Sequence, residues 1–279
     1  MNEAGDWLIG LAGSTLIGGL AYAKRSLSAS GWAAAIVVGT LLYALGSPVW
    51  FGALLAFFLS STLLSRWKKK AKSTAEEGYE KSGRRDAGQV AANGLPAALL
   101  CVAQAVWPDP AWLAAFLGVM ASVNADTWAT EVGGLSRRPP RSILTGRVVA
   151  PGTSGGITLL GSGAAAAGSL FIGAASFLLL LLYPDPAWAG QPSGLSAVLC
   201  FAAALAGGLV GAFSDSLIGA KWQRMYRCAV CGRTVEKTSH CGRPAVFARG
   251  WRWMNNDAVN IISSLLGGVA GAVIYRLLL

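Results

Sequence analysis

Long apolar runs alternate with short polar segments along the whole chain. Eight runs stand out, at about residues 7–23, 31–46, 49–65, 88–107, 111–133, 155–182, 195–219 and 257–278. A helix needs roughly 20 apolar residues to cross a bilayer, and only helices or closed barrels satisfy their backbone there. The pattern therefore predicts an all-α, polytopic transmembrane helix bundle of about eight spans, seven to eight in number, forming a single domain over residues 1–279. The second and third runs are short and meet at Gly46-Ser-Pro48, which predicts a tight hairpin.

The basic residues sort to one side of this predicted bundle. The chain is 54% hydrophobic and 13% charged, with a net charge of +10. The loops after spans 1, 3, 5 and 7 hold 22 of the 23 Lys and Arg residues, so the positive-inside rule places those loops in the cytoplasm and the N-terminus outside. This sorting argues against the nucleic-acid partner that a basic chain would otherwise suggest. It predicts an integral protein of a bacterial plasma membrane whose active site faces the cytoplasm.

The end of span 5 is unusually polar for a membrane helix. Asn124, Asp126, Thr127 and Glu131 follow directly on an apolar run, and Asn124, Thr127 and Glu131 share one helix face. An acidic side chain at the centre of a membrane helix costs roughly 2.5 to 3.5 kcal/mol, so two within six residues indicate a function. Bound cations, or phosphates held through cations, are the usual reason.

Span 4 begins with a second polar stripe. The charged segment 66–86 before it is typical of a solvated or headgroup-binding helix. At its end, Arg84 and Arg85 precede a helix face that carries Gln89 and Asn93. Two arginines and a polar stripe at a helix N-terminus favour the binding of an anion.

A glycine-rich loop before span 6 predicts a phosphate cradle. Backbone N–H groups and the helix dipole at a helix N-terminus bind anions, although short Gly/Ser loops are also common as plain turns. Basic residues nearby favour phosphate. The residues concerned are Arg141, Arg147, Gly152, Thr153, Ser154, Gly155 and Gly156.

Spans 7 and 8 add an acid and two amides on the same side. Asp215 lies among glycines at four-residue spacing, which indicates either a shared site with Asp126 and Glu131 or a packing motif with a satisfied carboxylate. Asn256 and Asn260 form a polar face at the start of span 8.

The loop 221–254 contains four zinc-type ligands. Cys228 and Cys231 have the Cys-x2-Cys spacing, and His240 and Cys241 follow after eight residues. Adjacent His and Cys ligands are unusual, so a free-thiol loop and a redox pair remain alternatives to a structural Zn²⁺ knuckle.

Five blocks of sequence together resemble one known family. They are Gln89-Val-Ala-Ala-Asn-Gly94, Ala125-Asp-Thr-Trp-Ala-Thr-Glu-Val-Gly133, Gly152-Thr-Ser-Gly-Gly156, Ser214-Asp-Ser-Leu-Ile-Gly219 and Asn256-Asp-Ala-Val-Asn260. The set resembles the integral membrane family that includes the plant phytyl-phosphate kinase of vitamin E synthesis. That resemblance implies transfer of a phosphate from a nucleoside triphosphate, CTP or ATP, to an isoprenoid monophosphate lipid. It covers the chain from about residue 84 onwards.

The residues suit such a phosphotransferase. We expect Asp126, Glu131 and Asp215 to hold Mg²⁺, with Asn124 completing the catalytic set. The arginines, the glycine loop and the amides Gln89, Asn93, Asn256 and Asn260 are expected to bind phosphates. A cation-coupled transporter or channel is the main alternative, because embedded acids also describe ion pathways. A lipid-phosphate transferase is another, although the sequence lacks its paired Asp signatures.

Overall fold

The computed structural model describes residues 3–68, 80 and 83–279. Most of the charged segment 66–86, predicted to be a solvated or headgroup-binding helix, lies outside the described residues. Eight long helices run through the described part of the chain. They are α1 (Glu3–Ala23), α2 (Ala29–Leu41, extended by a π turn at Leu42–Gly46), α3 (Pro48–Arg66), α4 (Ala87–Val106), α5 (Pro110–Gly133), α6 (Leu159–Leu182), α7 (Ser193–Trp222) and α8 (Asn256–Leu278).

These helices confirm the predicted all-α transmembrane architecture. Seven of them are long and apolar enough to cross a membrane, α5 being the exception because its C-terminal half is polar. The hairpin between α2 and α3 lies where it was predicted, with Ser47 as the N-cap of α3. The prediction that span 6 begins at residue 155 was wrong. Residues Gly156–Ile157 form a short strand, and α6 begins at Leu159, where the Thr158 side chain accepts from the Gly161 amide.

Helix α5 is the centre of the bundle. It contacts α3, α4, α6, α7 and α8, and its residues Ala111–Ala125 are buried with few exceptions. Its contact with α7 and α8 is a backbone contact through glycines. A methyl group added at Gly118 would collide with the Gly267 carbonyl oxygen, and one added at Gly207 would collide with Gly118 itself. Small residues thus let three helices approach more closely than ordinary side chains allow.

One end of the bundle is closed by a buried polar network. Asp185 accepts hydrogen bonds from Ser47 Oγ at 2.5 Å and from Trp50 Nε1 at 3.1 Å. Trp188 donates to the Pro110 carbonyl oxygen at 3.0 Å, which ties the α6–α7 loop to the start of α5. The embedded acids Asp126 and Asp215 lie at the other end, the site end of the bundle.

Short strands form a cap over the site end. They are β1 (Arg141–Ser142), β2 (Gly156–Ile157), β3 (Met225–Arg227), β4 (Thr234–Val235), β5 (Ser239–His240), β6 (Arg243–Pro244) and β7 (Val246–Arg249). The sheets are β1–β2, β4–β3–β7 and β5–β6, all antiparallel. Arg249 anchors the three-stranded sheet to α7, because its guanidinium donates to the carbonyl oxygens of Gly219 and Ala220 at the helix C-terminus.

Candidate functional site

A cavity of about 700 Å³ occupies the site end of the bundle. Helices α3 to α8 and the cap all contribute to its wall. The helices arrive there with opposite directions, so the C-terminal ends of α3, α5 and α7 face the N-terminal ends of α4, α6 and α8. Residues that are far apart in sequence therefore share one polar chamber.

Three carboxylates lie within electrostatic reach of one another in this chamber. Asp126 comes from α5, Asp215 from α7 and Glu236 from the turn after β4. Ser263 of α8 donates to Asp215 Oδ2 at 3.2 Å, which orients that carboxylate. Glu236 is 8% exposed, and its carboxylate accepts from the Glu80 amide at 3.0 Å. Burial raises the pKa of the Glu236 carboxyl above its ordinary value.

Glu131 belongs to a different part of the same chamber. Its carboxylate accepts from Ser65 Oγ at 2.5 Å and lies within electrostatic reach of Arg85. Of the three acids grouped as metal ligands from sequence, Asp126 and Asp215 interact electrostatically with each other, while Glu131 lies beside Ser65 of α3 and interacts with Arg85.

Arg85 is held rigidly beside the cavity. Its guanidinium donates to Ser61 Oγ and Thr62 Oγ1, each at 3.1 Å, and its backbone pairs with Ser26 and Ser28. Burial lowers the pKa of the Arg85 guanidinium, but an arginine stays protonated in proteins. A fixed, half-buried cation of this kind is suited to a phosphate oxygen.

The remaining predicted cations lie outside the cavity, and other arginines take their place. Arg84, Arg141 and Arg147 are exposed and do not line the cavity, and Arg141 donates to the Gly146 carbonyl oxygen. Four other arginines line it instead: Arg25, Arg66, Arg137 and Arg138. Since these come from the ends of α1, α3 and α5, the cavity has a basic rim above its acidic floor.

The glycine loop 152–156, predicted to be a phosphate cradle, lines the cavity and packs closely against its neighbours. Ser154 Oγ donates to Gln223 Oε1 at 2.5 Å. Gly155 has a φ of +79° and lies so close to α7 that an added Cβ would collide with Ala220. Because Ile157 and the N-cap residue Thr158 separate this loop from α6, the first-turn amides of α6 do not continue it directly.

The predicted amides also divide by position. Gln89, Asn93, Asn256 and Asn260 line the cavity, and Gln89 completes a capping box with Asp86 at the start of α4. Asn124 is fully buried away from the lining. It accepts from Ser60 Oγ at 3.0 Å and donates from Nδ2 to the Gly168 carbonyl oxygen at 2.7 Å. The geometry of Asn124 favours a packing role between α3, α5 and α6.

The cap brings the four predicted zinc ligands together. The ligand atoms of Cys228, Cys231, His240 and Cys241 all lie within 4.8 Å of one another. The Cys231 amide donates to Cys228 and lowers the pKa of that thiol to about 6. This is the one compact cluster of such ligands found among the described residues.

The acidic floor is suited to a different ion. Hard cations such as Mg²⁺ take oxygen ligands, and Mg²⁺ is commonly held by one or two carboxylates while substrate phosphates and waters complete the shell. Asp126 and Asp215 supply such a pair, and the amides of Asn256 and Asn260 line the same cavity.

Sequence reasoning missed Glu236 and the arginines of the rim. Glu236 is the single acid in the loop 221–254, which is otherwise basic, and this isolation was the available signal. Arg25, Arg66, Arg137 and Arg138 were visible as loop cations, but nothing local separated them from Arg84, Arg141 and Arg147.

The fold and the cavity define a polytopic integral membrane protein with a polar chamber at one end. The chain belongs to the integral membrane protein family DUF92, whose model matches residues 12–268. Protein PGR of Arabidopsis thaliana is 31% identical over 268 residues, covering 91% of this chain and 90% of the relative. An uncharacterised membrane protein of Methanocaldococcus jannaschii is 32% identical over 225 residues, covering 80% of this chain and 74% of the relative.

The chloroplastic protein VTE6 of Arabidopsis thaliana is a more distant relative. It is 26% identical over 281 residues, covering 99% of this chain and 72% of the relative. No solved structure matches the chain. The family expected from the sequence blocks is thereby confirmed.

Proposed function

We propose that this protein is a membrane lipid-phosphate kinase. It transfers the γ-phosphate of a nucleoside triphosphate, CTP or ATP, to an isoprenoid monophosphate and releases the isoprenoid diphosphate. The observation that carries the proposal is the single chamber that gathers Asp126 and Asp215 with Arg85 at one end of a membrane bundle.

Phosphoryl transfer needs charge neutralisation and alignment more than covalent help from the protein. A bound Mg²⁺ would neutralise the phosphates of the donor, and Asp126 and Asp215 are the residues that would hold it. Arg85 is oriented by two hydroxyl groups and would contact a phosphate oxygen without further ordering. Pre-ordered cations of this kind are typical of phosphoryl-transfer sites.

The acceptor chemistry explains why no strong general base is required. A phosphate monoester has a second pKa of about 6, so most of it is dianionic at neutral pH and its oxygen is already nucleophilic. The γ-phosphorus–oxygen bond to the donor's leaving diphosphate breaks as the new bond to the acceptor oxygen forms. The nucleoside diphosphate carries away the electron pair, and no redox partner is involved.

The relatives support the same reaction class. The sequence blocks resemble the family of the plant phytyl-phosphate kinase, and the alignment with VTE6 covers 99% of this chain and 72% of that relative. The cavity lies at the site end and the Asp185 network closes the opposite end, which supports an enzyme over a transport path that needs access from both faces. We place the chamber on the cytoplasmic side, since the basic loops lie there under the positive-inside rule.

The test is transfer of a labelled γ-phosphate by the purified protein in the presence of Mg²⁺. Phytyl and geranylgeranyl monophosphates are the acceptors, CTP and ATP the donors, and the free alcohols the control acceptors. The proposal predicts label in the lipid diphosphate with a monophosphate acceptor. Absence of label in lipid with every acceptor and donor would contradict it.

Arg85→Gln refines the assignment of the cation. We expect its KM for the donor or acceptor to rise about 10-fold or more, because a hydrogen bond to a charged group contributes about 1.5–3 kcal/mol. Arg147→Gln is the matched control, because Arg147 is exposed and does not line the cavity. Equal kinetics for both variants would remove Arg85 from the site.

A further inference from the structure

The cap holds a cluster of thiols and an imidazole that phosphoryl transfer does not use. We propose that Cys228, Cys231, His240 and Cys241 bind one structural Zn²⁺, and that this ion holds the cap segment bearing Glu236 over the cavity. The inference stands on the geometry of the cap and does not depend on the proposed kinase activity.

The distances within the cluster suit a tetrahedral ion. With Zn–S of about 2.3 Å and Zn–N of about 2.0 Å, tetrahedral geometry sets S···N separations of about 3.5 Å and S···S separations of about 3.8 Å. His240 Nδ1 lies 3.4 Å from Cys231 Sγ and 3.2 Å from Cys241 Sγ. All four ligand atoms lie within 4.8 Å of one another.

Hydrogen bonding alone explains this arrangement poorly. A single imidazole nitrogen acts either as one donor or as one acceptor, yet two sulfur atoms converge on His240 Nδ1. One cation bound to all three atoms accounts for the convergence. Three sulfurs and one nitrogen form a closed structural zinc set, with no open position for a substrate.

The backbone around the cluster is folded to serve the ligands. Val230 N donates to Cys228 Sγ at 3.4 Å, and Gly232 with a φ of +71° closes the turn. Amide donors to ligating sulfurs are a usual part of the outer shell of such sites. Cys241 has a φ of +52°, a left-handed conformation that a residue other than glycine adopts at a cost. That conformation is what lets two adjacent residues, His240 and Cys241, both approach one centre.

The ligand pairs of the cluster flank Glu236, the acid that lines the cavity, along the chain. Along the chain, the first ligand pair precedes β4, Glu236 follows β4 directly, and the second ligand pair overlaps β5. A hollow of about 290 Å³ separates the cluster from the glycine loop, with His240 and Gly232 on one side and Gly152 and Thr153 on the other. An ion at the cluster would therefore fix both ends of the segment that carries Glu236.

Metal analysis of the purified protein tests the inference. We expect one zinc per chain after extraction in detergent without chelator, and a thiolate–metal absorption band after replacement by Co²⁺. Cys231→Ser and Cys241→Ser should each lose the ion. Cys200→Ala is the matched control, since Cys200 is buried in α7 away from the cluster and should leave the zinc content unchanged.

A second measurement follows the cap itself. Removing zinc with a strong chelator should expose the cap to trypsin at Arg233 and Lys237, while the wild-type holoprotein resists cleavage there. Wild-type protein that carries well under one zinc per chain, even from zinc-supplemented cells, would overturn the inference. A disulfide between any two of the three cap cysteines in the freshly isolated protein would overturn it too.

Discussion

Replacing Asn124 by alanine separates packing from catalysis in the polar half of α5. Asn124 is fully buried and bridges α3 to α6 through hydrogen bonds with Ser60 and the Gly168 carbonyl oxygen. Hydrogen bonds between membrane helices contribute about 0.6 kcal/mol on average and up to about 1.7 kcal/mol. Loss of two should lower the free energy of unfolding by about 1–3 kcal/mol.

The assay is a reversible unfolding titration in mixed micelles, combined with activity per folded molecule. We expect Asn124→Ala to unfold earlier and to keep near wild-type turnover once the folded fraction is accounted for. Asn260→Ala is the matched control, because Asn260 lines the cavity. It should change the unfolding free energy by less than about 0.5 kcal/mol while reducing activity. An Asn124→Ala variant with wild-type stability and no turnover would refute the packing assignment.

Three further predictions concern other parts of the molecule. Burial raises the pKa of Glu236, so the folded chain holds that proton more tightly than the unfolded chain, and stability falls as pH rises from the unfolded to the folded pKa. Glu236→Gln should therefore be more stable than wild type at neutral pH, without added Mg²⁺ and nucleotide. Thermal unfolding should show that this gain vanishes in acid. Gly207→Val should destabilise the bundle by about 1–3 kcal/mol or more, because the added side chain forces α5 and α7 apart. Gly163→Ala should be neutral or slightly stabilising in the same unfolding titration, because nothing lies within 4 Å of the added Cβ. Asp185→Ala should lower stability by about 2 kcal/mol or more, since it leaves buried donors without their acceptor, but turnover per folded molecule should not change.

Much of the fold is encoded in the local pattern. Apolar run lengths give the helices, and Gly46-Ser-Pro48 gives the hairpin, because both signals act within one element. The start of α6 was misplaced by four residues because Gly156–Ile157 pairs with Arg141–Ser142. Such pairing depends on a partner strand more than ten residues away, which hydropathy does not report.

The candidate site, like the fold, could be predicted from sequence where the signal lies within one helix and not where it depends on pairing between distant segments. The polar faces of α4, α5, α7 and α8 converge because helices of alternating direction bring them to one end, so Asp126 and Asp215 could be grouped from sequence. Glu236 could not be assigned to the site from sequence, because its position at the cavity depends on the register Tyr226↔Val235 between β3 and β4. Asn124 was expected in the site from its helix face, but its side chain instead hydrogen-bonds to Ser60 of α3 and to the Gly168 carbonyl oxygen of α6.

The most direct test of the central claim is labelled γ-phosphate transfer by Asp126→Asn beside Asp109→Asn. Each change removes one carboxylate: Asp126 lies within α5, and Asp109 is the N-cap residue of the same helix. Asparagine is also a good N-cap residue, so Asp109→Asn should keep the helix start intact. We expect Asp126→Asn to fold in detergent but to transfer no label to isoprenoid monophosphate, whereas Asp109→Asn should retain transfer. Undiminished transfer by Asp126→Asn would contradict the assignment of this chamber as the phosphotransferase site.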